Sequence, residues 1–185
     1  EEDPVVCITG HDAEVLSNGK YSVVLNGLGG GYSSLGDIGL NVRRENKNSY
    51  GTVFYLNGRL LVPAKCDLYS GKVEYTYFTE QVEVLQSVCV ASDENAEIRS
   101  LQIINKEKEV QWVNLTLYCE LMLTKPRSYA EHPSYSGMFI TTKAQTDRES
   151  RMIRLTARRR RHLPSDPHLE AYCVMSVPEP YTSAI

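Results

Sequence analysis

The sequence is poor in the features that mark the common alternatives to a plain β domain. It has no paired C-x-x-C motif: Cys7, Cys66, Cys89, Cys119 and Cys173 are scattered and odd in number. That spacing argues against a disulfide framework and against a zinc site. Three of them, Cys89, Cys119 and Cys173, sit inside apolar runs, where a reduced cysteine acts as a small hydrophobe. The reading that follows is a reducing compartment, the cytoplasm. No apolar run is long enough to cross a bilayer. No segment carries a convincing helical period. There is no phosphate-binding G-x-x-x-x-G-K-[ST], no dinucleotide fingerprint opening a helix, and no G-x-S-x-G nucleophile elbow. The four histidines show no ligand spacing, so no metal site is expected. Charge of one sign is also scarce. A net charge of −3 excludes nothing sharply but points away from nucleic acid and anionic membranes. The chain opens Glu1-Glu2-Asp3-Pro4 rather than with Met, which suggests a processed chain or a piece of a longer one.

What is present is a succession of short strand-like runs. The 185 residues, 42% hydrophobic and 23% charged, fit one domain, residues 1–185, with a sizeable core. Tyr21 to Asn26 is β-branched and continuous. Thr52 to Leu56, Asn57-Gly58 and Arg59 to Val62 read as a hairpin. Lys72 to Tyr77 and Gln81 to Ala91 alternate in polarity, with Val82, Val84, Gln86, Val88 and Val90 on one parity. Glu97 to Ile104 and Val110 to Leu123 form the next pair. In the second, Val113, Leu115, Leu117, Cys119 and Leu121 face the core, while Trp112, Asn114, Thr116, Tyr118 and Glu120 face away. Thr124 to Gly137 reads as a loop, followed by strands at Met138–Ala144, Met152–Ala157 and Leu169–Val177. Repeated short strands and polar turns predict an all-β, antiparallel sandwich.

The densest signal is Leu25-Asn26-Gly27-Leu28-Gly29-Gly30-Gly31-Tyr32-Ser33-Ser34-Leu35-Gly36-Asp37. Its glycines imply left-handed backbone or close approach of another chain segment. A tight β-corner is the favoured reading. A sugar-binding loop is the alternative, since Tyr32, Ser33 and Asp37 offer an aromatic face, a hydroxyl and a carboxylate. Asp37 and Glu131 are the carboxylates to watch for acid–base work, and neither makes a catalytic acid by sequence alone. Arg158-Arg159-Arg160-Arg161 is the one strong charge run. It suits phosphate, an acidic partner or, least of these, a nucleic-acid backbone; the plainer readings are a solvated loop end or arginines meeting carboxylates across a subunit boundary.

Ser17-Asn18-Gly19-Lys20-Tyr21, Gly29-Gly30-Gly31-Tyr32-Ser33, Asp37, Tyr50-Gly51-Thr52, Glu97-Ile98-Arg99 and His132-Pro133-Ser134-Tyr135-Ser136 together resemble the N-terminal β-sandwich of glycoside hydrolase family 94. That family comprises the inverting glycoside phosphorylases and the cyclic β-1,2-glucan synthases. The resemblance departs at Ser34-Leu35-Gly36, where family members often carry an aromatic residue and an arginine, and at Arg43-Arg44, which lack a following tryptophan. It implies a large supersandwich of the galactose-mutarotase-like type, a C-terminal (α/α)-barrel elsewhere in the parent chain, and a homodimer. It implies inorganic phosphate as co-substrate of the parent, and no other cofactor. The catalytic residue belongs to the barrel, so this chain is expected to be inactive alone and to hold no catalytic residue. Scaffolding, dimerisation and a rim of the sugar site remain, with Tyr32, Ser33, Asp37, Arg44, His132 and Tyr135 as the β-glucan-contacting candidates. The alternatives are a free-standing carbohydrate-binding sandwich and a small mutarotase-type enzyme using a histidine and a carboxylate.

Overall fold

The computed structural model describes residues 6–7, 13–42, 51–147, 149, 152–161 and 168–176. It is built from strands β1 (Val6–Cys7), β2 (Ala13–Ser17), β3 (Tyr21–Asn26), β4 (Gly31–Leu35), β5 (Ile38–Asn41), β6 (Thr52–Leu56), β7 (Arg59–Leu60), β8 (Lys65–Tyr69), β9 (Lys72–Phe78), β10 (Val82–Val90), β11 (Glu97–Asn105), β12 (Leu115–Cys119) and β13 (Leu121–Thr124). Two short helices follow, α1 (Pro126–Glu131) and α2 (Pro133–Met138), then strands β14 (Ile140–Asp147), β15 (Met152–Arg159) and β16 (Leu169–Ser176). The strands form four sheets in the orders β1-β8-β9-β10-β11, β13-β5-β4-β3-β2, β12-β6-β7 and β14-β15-β16. Every strand pairing is antiparallel.

The layers follow from period two. Tyr21, Val23 and Leu25 of β3 are buried while Ser22, Val24 and Asn26 are not. Val73, Tyr75 and Tyr77 of β9 and Val82, Val84, Gln86 and Val88 of β10 do the same from the opposite layer. Phe54, Leu56 and Leu61 bring the β6–β7 hairpin into that cluster, with Val113, Leu115 and Leu117 packed against it. Thus the parity assigned to β10 and to the 113–117 stretch holds.

The glycine stretch is a corner. Asn26 Oδ1 accepts from the backbone N–H groups of Leu28 (3.1 Å) and Gly30 (2.9 Å), and its carbonyl accepts from the Tyr75 hydroxyl at 2.9 Å. Gly29 takes φ +79° against the Pro63 ring, and a Cβ on Gly31 would stand 1.9 Å from the Val24 carbonyl oxygen. The Asn57-Gly58 turn, with both residues at positive φ (50° and 77°), closes the expected hairpin.

Three expectations need correction. Glu97–Ile104 and Val110–Leu123 do not pair with each other: among the described residues β11 pairs with β10, and β12 pairs with β6 in another sheet. The run Val110–Leu123 is not one strand. Residues 115–119 pair with β6, and 121–124 pair with β5 in a different sheet. The chain changes layer at Glu120, and the switch ends with Leu123 at φ +49°. Met122 and Leu123 are consecutive and both buried because β13 carries an extra residue against β5: Leu121 faces Asn41 and Thr124 faces Gly39, a bulge that breaks the alternation at Leu123. The run 124–137 is not a loop either, because it holds α1 and α2. Each begins at a proline, whose fixed φ and missing N–H suit the first helical position. At six residues, neither is long enough to display a helical period.

Candidate functional site

The polar centre of the described residues lies between the two main layers. Glu97 and Arg99 begin β11 on its inward parity, the side shared with Leu101. Arg99 Nε donates to Glu97 Oε1 at 2.7 Å, and the two side chains are 11% and 15% exposed. From the opposing layer, the Ser33 hydroxyl of β4 donates to Glu97 Oε2 at 2.5 Å and the Tyr21 hydroxyl of β3 at 3.2 Å. The chain of bonds continues through Asn41. Its Oδ1 accepts from the Ser33 backbone N–H at 2.7 Å, and its amide donates to Thr52 Oγ1 at 3.1 Å. Burial works against the Glu97 charge. The Arg99 guanidinium and the three donors outweigh it and hold the carboxyl below the usual range. Burial first, and then Glu97, push the Tyr21 phenol far up. The arrangement is a clamp between layers, and an ionised, fully engaged carboxylate is a poor general acid.

The predicted residues do not form one constellation. Ser33 points into this clamp and is 3% exposed, whereas Tyr32 lies on the opposite face of β4. Asp37 sits in the β4–β5 turn, its carboxylate 2.6 Å from Lys125 Nζ just before α1. The bond and charge from Lys125 lower its pKa. His132 joins α1 to α2, with its ring edge-on to Tyr135 at 6.5 Å, and Tyr135 is exposed. Glu131 pairs with Arg127 at 3.6 Å on the same helix. Asp37 therefore comes to the start of α1, on the side of the chain that carries His132 and Tyr135. Arg44 lies outside the described residues.

A mutarotase-type pair would need a carboxyl poised to give up and regain a proton. Asp37 is shifted the other way, and it and Glu131 are both engaged by cations. The arginine run meets carboxylates and carbonyls. Arg158 pairs with Glu170 at 3.3 Å, and Arg159 Nη1 donates to the carbonyls of Met122 and Ser136 and to Ser136 Oγ. Arg160 donates to the Met138 carbonyl at 2.5 Å. The run thereby ties β15 to α2. A cleft of about 470 Å³ lies elsewhere, where β2 meets the β8–β9 turn, lined by Glu14, Ser17, Tyr69 and Ser70 among others. None of the predicted site residues lines it.

Among the described residues, no group of three His, Cys, Asp or Glu side chains is placed to hold a metal. Nor is any helix long and apolar enough to cross a membrane. Cys66, Cys89, Cys119 and Cys173 are in no disulfide, and burial raises the pKa of Cys119 and Cys173.

The role of the Glu97–Arg99 pair was not read from the sequence. The signal was there, as opposite charges two apart on the parity that carries Leu101 inward. Only the facing layer shows that Ser33 and Tyr21 are their partners.

A family model described as "Glycosyl hydrolase 94, supersandwich domain" matches residues 61–183. The cyclic beta-(1,2)-glucan synthase NdvB of Rhizobium meliloti (strain 1021) is 27% identical over 190 residues, covering 91% of this chain. The chain spans 6% of the length of that relative. Its all-β antiparallel architecture agrees with a family match over residues 61–183, and the chain belongs to the glycosyl hydrolase 94 supersandwich domain family.

Proposed function

We propose that the chain is a non-catalytic β-sandwich of a β-glucan phosphorylase or cyclic β-glucan synthase. It serves as scaffold and subunit contact, with the α1–α2 segment as a rim of a sugar site completed by a catalytic barrel. Phosphate and the acid that protonates the glycosidic oxygen then belong to the barrel. One observation carries the reading. The sheet β14-β15-β16 bears an apolar side that is covered only at one end. Ala157 is 6% exposed, while Leu155 and Ile153, two and four residues earlier on the same side, are 45% and 36% exposed. Across the register, Leu155 stands opposite Ala144 and Cys173, and Ala157 opposite Ala171, while Thr142 and Thr146 of β14 border the apolar row. Such a face calls for a covering surface, which suits a scaffold more than an independent enzyme.

The test is turnover by the purified chain on β-1,2-gluco-oligosaccharides, with and without inorganic phosphate, followed by product chromatography. No turnover is expected. Turnover that vanishes in Asp37→Asn or His132→Ala would overturn the reading in favour of a small acid–base enzyme.

A further inference from the structure

The outward side of β12 and its approach carries residues that neither the core nor the clamp uses. From 111 to 119 exposure alternates strictly, and the outward residues are Trp112, Asn114, Thr116 and Tyr118. Trp112 is 90% exposed and Tyr118 48%. The approach is held extended: Asn57 N–H donates to the Asn114 carbonyl at 2.8 Å, and Asn114 N–H donates to Asn57 Oδ1 at 2.8 Å. Tyr55 of β6 stands directly opposite Thr116, which puts a third aromatic ring on the same side. Along the row, Asn114 and Thr116 lie between Trp112 and Tyr118, and Val53 of β6, opposite Tyr118 and 5% exposed, packs beneath the same side. The Thr116 hydroxyl donates to Asn114 Oδ1 at 3.2 Å, which leaves the amide NH₂ of Asn114 as a donor for something else. The charged residues nearest the row in the chain are Glu109, three before Trp112, and Glu120, two after Tyr118.

We propose that this side of β6 and β12 is a binding platform for a neutral oligosaccharide, with Trp112, Tyr118 and Tyr55 stacking on sugar C–H faces and Asn114 and Thr116 meeting hydroxyls. Charge and pattern select that ligand. A phosphorylated or acidic ligand would need cations within the row, and none is there. A protein partner would want a continuous apolar patch, whereas here an amide and a hydroxyl, Asn114 and Thr116, lie between Trp112 and Tyr118. A sugar chain offers the matching surfaces, apolar C–H faces bordered by hydroxyls. At strand rise, Trp112 and Tyr118 are separated by at most roughly 20 Å, room for several sugar units in a row. The platform is distinct from the α1–α2 rim. It rests on the reading above only for the choice of glucan as the first sugar.

Trp112 is the only tryptophan in the chain, so its fluorescence reports the platform directly. The experiment titrates the chain with β-1,2-, β-1,4- and α-1,4-linked gluco-oligosaccharides of two to six units. It follows Trp emission, acrylamide quenching and heat. A blue shift with reduced quenching is expected, with affinity rising from disaccharide to tetrasaccharide. Trp112→Ala and Tyr118→Ala should each weaken binding by roughly tenfold or more in calorimetry. Tyr172→Ala, an exposed aromatic on another sheet, should leave it unchanged. An exposed residue such as Trp112 should not be needed for folding, which thermal unfolding of Trp112→Ala checks. Binding of another linkage through Trp112, with none of β-1,2-glucan, upholds the platform and sinks the β-1,2-glucan assignment. Absence of heat and of any emission change at millimolar sugar overturns the platform and leaves the scaffold reading standing. Binding that survives in Trp112→Ala, or self-association that depends on Trp112, also overturns it.

Discussion

Protonating Glu97 removes the charge that draws Arg99, Ser33 and Tyr21 together across the layers. Its folded pKa is depressed, so the stabilisation is complete above the ordinary carboxylate value of 4.5 and is lost as pH falls through the folded value. Glu97→Gln should therefore be less stable than the parent at pH 7. The gap should narrow as denaturant unfolding is repeated at pH values progressively below 4.5, and a gap independent of pH would contradict the assignment. Glu97→Ala leaves the nearly buried Arg99 guanidinium without its carboxylate, and should cost about 2–4 kcal/mol. Ser33→Ala removes one donor at a buried site and should cost about 1–2 kcal/mol. It should leave sugar affinity untouched, because the hydroxyl is not at the surface. A loss of glycan binding in Ser33→Ala without loss of stability would return Ser33 to the sugar site. Asp37→Asn, by contrast, breaks an exposed pair with Lys125 and should leave the unfolding midpoint where it is.

Among the elements, the β3–β4 corner is the least tolerant. Gly31→Ala drives a Cβ into the Val24 carbonyl, with backbone on both sides and no flexible side chain to yield. Thermal unfolding should show a loss of more than about 3 kcal/mol, or no folded protein. Gly58→Ala, at a hairpin tip with open space around it, should cost only about 1 kcal/mol for its positive φ. If both variants behave alike, close approach is not what distinguishes Gly31. The switch at Glu120 is another element-scale feature. It lets one chain segment pair first with β6 and then with β5, and it directs the following residues into α1 and α2, the second of which is held by Arg159 and Arg160.

At the scale of the molecule, the β14-β15-β16 sheet governs behaviour in solution. With Ile153 and Leu155 open, sedimentation velocity should show self-association that grows with concentration, and Leu155→Lys should reduce it. A strictly monomeric parent at high concentration would mean that the face does not drive contact. The unshared edges of that sheet offer a second route, which the same substitution would not close.

The division between sequence and tertiary structure follows from the range of the forces. Alternation along β3, β9 and β10, the Asn57-Gly58 turn and the proline-led breaks are local, since period two and turn chemistry act within a few residues. For that reason the all-β class and most strands were legible, as was the inward side of residues 113–117. The sheet switch at Glu120 depends on which strand lies alongside, a non-local matter. So Val110–Leu123 read as one strand and residues 124–137 as a loop. The candidate site divided along the same line. Tyr32 and Ser33 look like a pair when read in order, yet adjacent strand residues face opposite sides, so no sheet could present both to one sugar. Nor could order alone reveal that Glu97 sits across from Ser33, sixty-four residues away, because only the packing of two layers brings that carboxylate to that hydroxyl.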